Sequence, residues 1–153
     1  MKQHWAGRQR GWRAHVVLAL MIPLLAAVGC SRSPPEQRLR EQLGRMQAAL
    51  EQRQPRDFME GVAADFAGNG GMDRAALQQI VRAQVLANAD IGLTLGPAEL
   101  EVRGDRATMR FSVLATGGSG RLLPDSAGRW QVTSGWREEE GEWLLYYAEW
   151  KPL

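Results

Sequence analysis

Apolar positions follow three different patterns along this chain. From Val16 to Val28 they are continuous. From Pro35 to about Gln54 they take a helical period: Leu39, Leu43, Met46 and Leu50 recur at +4, +7 and +11, with Arg38, Arg40, Glu41, Arg45, Glu51 and Arg53 on the other faces. Pro55 ends that helix and suits the first position of a second, expected to run to Phe66 with Phe58, Met59, Val62 and Phe66 on one side. Residues 67–71 (Ala-Gly-Asn-Gly-Gly) read as a loop. Asp73 is the N-cap expected for a third helix to about Asn88, with Leu77, Ile80, Val81 and Val85 facing inward.

From Asp90 the period becomes two. Ile91, Leu93 and Leu95 mark one strand and Leu100 and Val102 another, followed by a Gly104-Asp105 turn. Ala107, Met109, Phe111, Val113 and Ala115 alternate with Thr108, Arg110, Ser112 and Leu114, the clearest strand of all. A long loop is expected over 117–128, then a hairpin of 129–138 and 142–150 across Glu139-Glu140-Gly141. Helices first and strands afterwards is the arrangement of an α+β domain rather than an alternating α/β one.

The continuous apolar run is too short for a comfortable membrane span, which needs about 20 residues, and has the length of a signal-peptide core. Lys2, Arg8, Arg10 and Arg13 precede it with no acidic residue, and Ala27-Val28-Gly29-Cys30 follows it. This tetrapeptide resembles the lipobox of bacterial lipoproteins, with Ala27 where leucine is commonest. The resemblance implies a signal peptide over 1–29 and an acylated Cys30 as the mature N-terminus. The alternative is an ordinary secreted protein cut near Ala27, with Cys30 a spare thiol. Ser31 resembles the sorting residue of outer-membrane lipoproteins, which implies a chain anchored at the periplasmic face of the outer membrane. Residues 30–35 form a tether; its Ser-Arg-Ser-Pro-Pro stretch reaches on the order of 16 Å at about 3.3 Å per residue, which leaves 36–153 as the domain.

Charge and composition change meaning once that segment is set aside. The chain has 19 Lys+Arg and 17 Asp+Glu; the signal holds four of the basic residues, so the remainder carries 15 against 17, a net of −2. Its basicity is an export feature, and no nucleic-acid footprint is left. Both histidines, His4 and His15, fall in the signal, and Cys30 is the sole cysteine. A mature domain without histidine or a second cysteine has no internal disulfide, no Ser-His-Asp or Cys-His relay and none of the usual zinc ligand sets. No metal or cofactor is expected.

The sequence pieces Ala48-Ala49-Leu50, Asp57, Ala64-Asp65-Phe66 and the Trp-rich stretches Trp130 to Glu138 and Gly141 to Leu145, in this order, resemble the nuclear transport factor 2-like fold of the cystatin-like group. That resemblance covers nearly all of 36–153. It implies three N-terminal helices on a curved antiparallel sheet of about four to six strands, with a pocket inside the cone. Members include isomerases, dehydratases, polyketide cyclases and non-catalytic binding modules, so the fold leaves the chemistry open. Enzymatic members tend to use an Asp in the cone, which makes Asp57, Asp65 and Tyr146 the candidate catalytic groups for a histidine-free lyase, isomerase or hydrolase. Against this, Asp57 also suits a helix N-terminus and Asp65 a solvated helix end. Trp130, Trp136, Trp143 and Tyr147 are candidate ligand-binding residues, and equally sheet packing. The terminal strand has apolar residues on both faces, Leu144 and Tyr146 against Trp143, Leu145 and Tyr147, so a second subunit covering the outer face is expected. The leading expectation is a non-catalytic envelope lipoprotein that binds a partner protein or a small apolar ligand.

Overall fold

Pro35 opens α1 (Pro35–Glu51) at its first position, where the missing N–H costs nothing. Its expected stripe faces the sheet: Leu39, Met46 and Ala49 are buried, Leu43 and Leu50 pack against the core, and Gln42 is buried beside them. A left-handed Arg53 turns the chain into α2 (Pro55–Glu60), again begun by proline. The computed structural model describes residues 33–120 and 126–153. The expected signal peptide and Cys30 lie outside them, and no helix among the described residues is long and apolar enough to cross a membrane.

The second helix is shorter than its apolar pattern suggests. It stops at Glu60, and Val62 to Phe66 form instead the body of β1 (Val62–Gly68). Strand β1 lies parallel to the last strand of the protein, pairing Val62 with Leu145 and Gly68 with Ala148. Val-Ala-Ala-Asp-Phe suits either state locally, and a partner about 80 residues away decides between them. The short strand β2 (Met72–Asp73) pairs back on β1, and Asp73 then caps α3 (Arg74–Ala87) by accepting from the Ala76 N–H at 2.8 Å, as expected. Leu77, Val81 and Val85 are buried, whereas Ile80 is largely exposed.

Five antiparallel strands follow: β3 (Asp90–Leu95), β4 (Glu99–Arg103), β5 (Arg106–Gly118), β6 (Ser126–Glu139) and β7 (Glu142–Pro152). The sheet has seven strands, ordered β2-β1-β7-β6-β5-β3, with β4 also pairing the first part of β5. It thus exceeds the expected four to six strands, and one of its pairings is parallel. The loop expected over 117–128 is largely strand, since β5 and β6 stay paired to Gly117–Ser126. The hairpin tip is tighter than expected: Glu139 pairs with Glu142, leaving Glu140 and Gly141, both at positive φ, as a two-residue turn.

Helix α1 spans the concave face and is fixed at both ends. Arg38 donates to both carboxylate oxygens of Glu138 at 2.9 and 3.0 Å and to the Gly141 carbonyl at 3.0 Å. Two turns further, Gln47 donates to the Leu93 carbonyl at 2.8 Å and Glu51 accepts from the Leu93 N–H at 3.0 Å. These side chains complete the free edge of β3 as a strand would. Asn69 does the same for β7, donating to the Trp150 carbonyl at 2.7 Å and accepting from its N–H at 3.0 Å. Asn69→Ala is therefore expected to destabilise the fold by about 1–3 kcal/mol in urea unfolding. An unchanged midpoint would show that Trp150 needs no such partner.

Candidate functional site

Alternation along β5, β6 and β7 decides which side chains enter the cone. Met109, Phe111, Val113, Val132, Ser134 and Trp136 face inward. On β7 the register slips by one residue at Tyr146, so that Gly135 faces Tyr147 while Trp136 faces Leu145. Strict alternation would send Tyr147 inward with Trp143 and Leu145. The bulge instead turns Tyr146 and Tyr147 both outward and brings Ala148 and Trp150 to the inner face.

Between this inner face and the helices lies an apolar cavity of about 240 Å³. Leu43, Met46 and Leu50 of α1, Phe58 of α2 and Leu77 of α3 roof it. Phe111, Val113, Trp136, Leu145 and Trp150 are among its sheet walls. Its polar lining residues are Gln47 and Ser134. The Ser134 hydroxyl accepts from Trp136 Nε1 at 2.9 Å and donates to the Met109 carbonyl at 3.2 Å, while Gln47 donates to Leu93. Leu50, Leu93, Val113, Val132 and Trp150 continue into a wider mouth of about 580 Å³. At that mouth stand Trp130 and the neutral polar side chains of Gln84, Asn88, Thr116 and Ser126. Among the described residues, no ionisable side chain lines either space. The site can bury apolar surface, at about 25 cal/mol per Å², but has no group there to take or give a proton.

The candidate residues divide accordingly. Trp136 and Trp130 line the cavity and its mouth, respectively. Trp143 is 1% exposed and packed in the core rather than on the cavity; its Nε1 has no hydrogen-bond partner among the described residues. Tyr147 lies outside the cone and donates its hydroxyl to Glu149 at 3.2 Å. Trp150, Phe111 and Val132 are further wall residues. The period of two points to the latter two, but Trp150 depends on the bulge, which leaves no local signal.

The three candidate catalytic groups are not gathered in the cone. Asp57 sits on exposed α2, and Asp65 is on strand β1 rather than at a helix end. Asp65 accepts from Arg137 Nη1 and Nη2 at 3.1 and 2.9 Å on the outer face. Tyr146 lies there as well, with the guanidinium carbons of Arg106 and Arg137 at 5.2 and 5.7 Å from its ring centre. The ring rests on Gly135, where any Cβ would come within 2.9 Å of it. Arg110, at the register of Glu99 and Thr133, is exposed on the same face. Leu114, Leu144, Tyr146 and Tyr147 share this face with polar side chains, and the bulge adds Tyr147 to it. No group of three or more metal-ligating side chains occurs among the described residues.

The Arg137 guanidinium, hydrogen-bonded to Asp65, holds that carboxyl below its ordinary value of 3.8. A carboxyl lowered by folding stabilises the native state above its unfolded pKa, and that contribution disappears as pH falls through the folded value. The melting-point gap between the wild type and Asp65→Asn should hold from neutrality to about pH 5 and close below about pH 4. A gap equal at both extremes of pH would argue against the pair.

No protein-family profile matches the chain, and no curated protein matches it in sequence. Solved structures do. A candidate scytalone dehydratase from Novosphingobium aromaticivorans superposes with a TM-score of 0.69 at 15% identity, over 77% of this chain and 83% of that one. Bdellovibrio bacteriovorus Bd1075 gives 0.68 at 11% identity, and there the match spans 76% of this chain and 41% of the other. A nuclear transport factor 2-like protein of unknown function from Pseudomonas putida gives 0.65 at 16% identity, over 76% and 84%. The chain thus has the nuclear transport factor 2-like, cystatin-like α+β fold, and at these identities the likeness extends to the fold alone.

Proposed function

We propose that this protein is a lipid-anchored envelope lipoprotein whose cone holds a small, uncharged apolar ligand without transforming it. The observation that carries the binding role is the cavity itself: apolar walls, hydrogen-bonded polar groups, and no ionisable side chain among the described residues. The anchor rests on the order of basic segment, apolar run and Ala27-Val28-Gly29-Cys30. Ser31 favours the periplasmic face of the outer membrane. A lyase or isomerase working in the cone would need a carboxylate there, and Asp57 and Asp65 are both elsewhere. The likeness to proteins described as dehydratases therefore lends that alternative little support.

Two measurements test the two halves separately. Fatty-acid labelling of cells should mark the wild type and leave Cys30→Ser unlabelled; equal labelling would remove the anchor. Native mass spectrometry of protein beginning at Ser31 should show a small molecule that is lost on denaturation. With an uncharged apolar fluorescent probe, Val132→Phe should weaken binding about tenfold by filling the passage between cavity and mouth, whereas Tyr147→Phe should not. Equal binding by all three proteins would place the probe outside the cone.

A further inference from the structure

In the inner chamber of the cone both polar side chains are committed to hydrogen bonds, whereas at the mouth two oxygen atoms keep unused acceptor capacity. Given the binding role proposed for the cone, we infer that its ligand is an uncharged alcohol. Its hydrocarbon body lies in the inner chamber, and its hydroxyl donates a hydrogen bond at the rim to Asn88 or Ser126.

Polar side chains at the rim of a pocket are ordinary, but these two are arranged in a particular way. Asn88 caps the C-terminal end of α3 and lines the mouth. Its Nδ2 donates to the Gln84 carbonyl at 2.9 Å, which fixes the orientation of the amide. Its Oδ1 is thereby turned toward the sheet, and it has no donor among the described residues. From the sheet side, the Ser126 hydroxyl donates its proton to the Gly117 carbonyl at 3.3 Å, which leaves the lone pairs of Oγ. The two oxygens converge over Gly117. A Cβ there would come within 2.2 Å of Asn88 Oδ1 and 3.2 Å of Ser126 Oγ, so a side chain at 117 would push the Asn88 amide aside. Both donors are spent on the main chain, and two acceptors remain side by side.

Two neighbouring acceptors call for a donor. A carboxylate or an ether there would set oxygen against oxygen. The C-terminal end of α3 adds partial negative charge at the same place, which works further against an anion. A cation fits no better, because among the described residues no carboxylate lines the cavity or the mouth to balance it. A hydroxyl meets these conditions, since it donates one hydrogen bond, carries no charge and brings little polar surface with it. The place of the hydrocarbon follows from continuity. Leu50, Leu93, Val113, Val132 and Trp150 line both spaces, so an alcohol with its oxygen at the rim extends past them into the inner chamber.

The test uses protein expressed from its full sequence in nanodiscs of zwitterionic lipid, with tryptophan fluorescence reporting occupancy and free ligand measured by dialysis. The probe n-octanol is compared with methyl heptyl ether, which has as many heavy atoms and no donor, and with octanoate and octylammonium. The alcohol should bind about tenfold more tightly than the ether, although the ether is the more apolar, and than either ion. Asn88→Leu and Gly117→Ala should each bring the alcohol to the level of the ether. Binding of the ether should be unchanged in both, which shows that the variants are folded. Equal binding of alcohol and ether by the wild type, or an ion tighter than the alcohol, would overturn the inference and leave the binding role intact. An alcohol preference that survives both variants would overturn it as well, as would absence of octanol binding where the apolar fluorescent probe still binds. Failure of that probe too would remove the binding role itself, and the alcohol with it.

Discussion

The cavity lies under α1, which polar contacts hold to the sheet near both of its ends. Toward one end Arg38 grips Glu138 and the hairpin tip, and toward the other Gln47 and Glu51 complete the edge of β3. Between those points Leu43, Met46 and Leu50 face a sheet that bends away from them. Close packing would normally draw such surfaces together, since a void forfeits contacts on every side. Here polar contacts hold both ends of the helix, and apolar side chains line the space between. The Arg38–Glu138 pair is only about one-fifth exposed on each partner, which gives it the rigidity a fully solvated pair lacks.

The bulge at Tyr146 matters almost as much. By adding one residue it sends two consecutive tyrosines outward and resets the inner face for Ala148 and Trp150. The inside is thereby left without a phenol, and the outside gains a ring flanked by Arg106 and Arg137. One inserted residue thus divides the strand between a neutral interior and a charged exterior.

Much of this arrangement can be read from local pattern. The stripe Leu39 to Leu50, the Asp73 cap and the alternation from Ala107 to Ala115 all appear where expected, because each is decided within a few residues. Val62 to Phe66 reads locally as helix, and the strand partner that decides otherwise lies on β7, about 80 residues on. Asp65 went with it, and so did its expected place beside the cone. Tyr147 was misplaced for a different reason: a bulge has no signature in a run of aromatic residues that all suit a strand. Of the candidate ligand-binding residues, Trp130 and Trp136 border the cone.

Pairing β1 directly with β7 has a further consequence, one of timing. Ribosomes deliver the chain from its N-terminus, and β7 (Glu142–Pro152) follows the other strands of this sheet. Until it does, β1 lacks its parallel partner, Asn69 has no Trp150 to bridge, and Arg38 has no Gly141 carbonyl to grip. The helices and the β3–β5 segment can form earlier, because their contacts are local. The cone itself closes only once β7 is in place, so its formation waits on a strand more than 70 residues beyond β1.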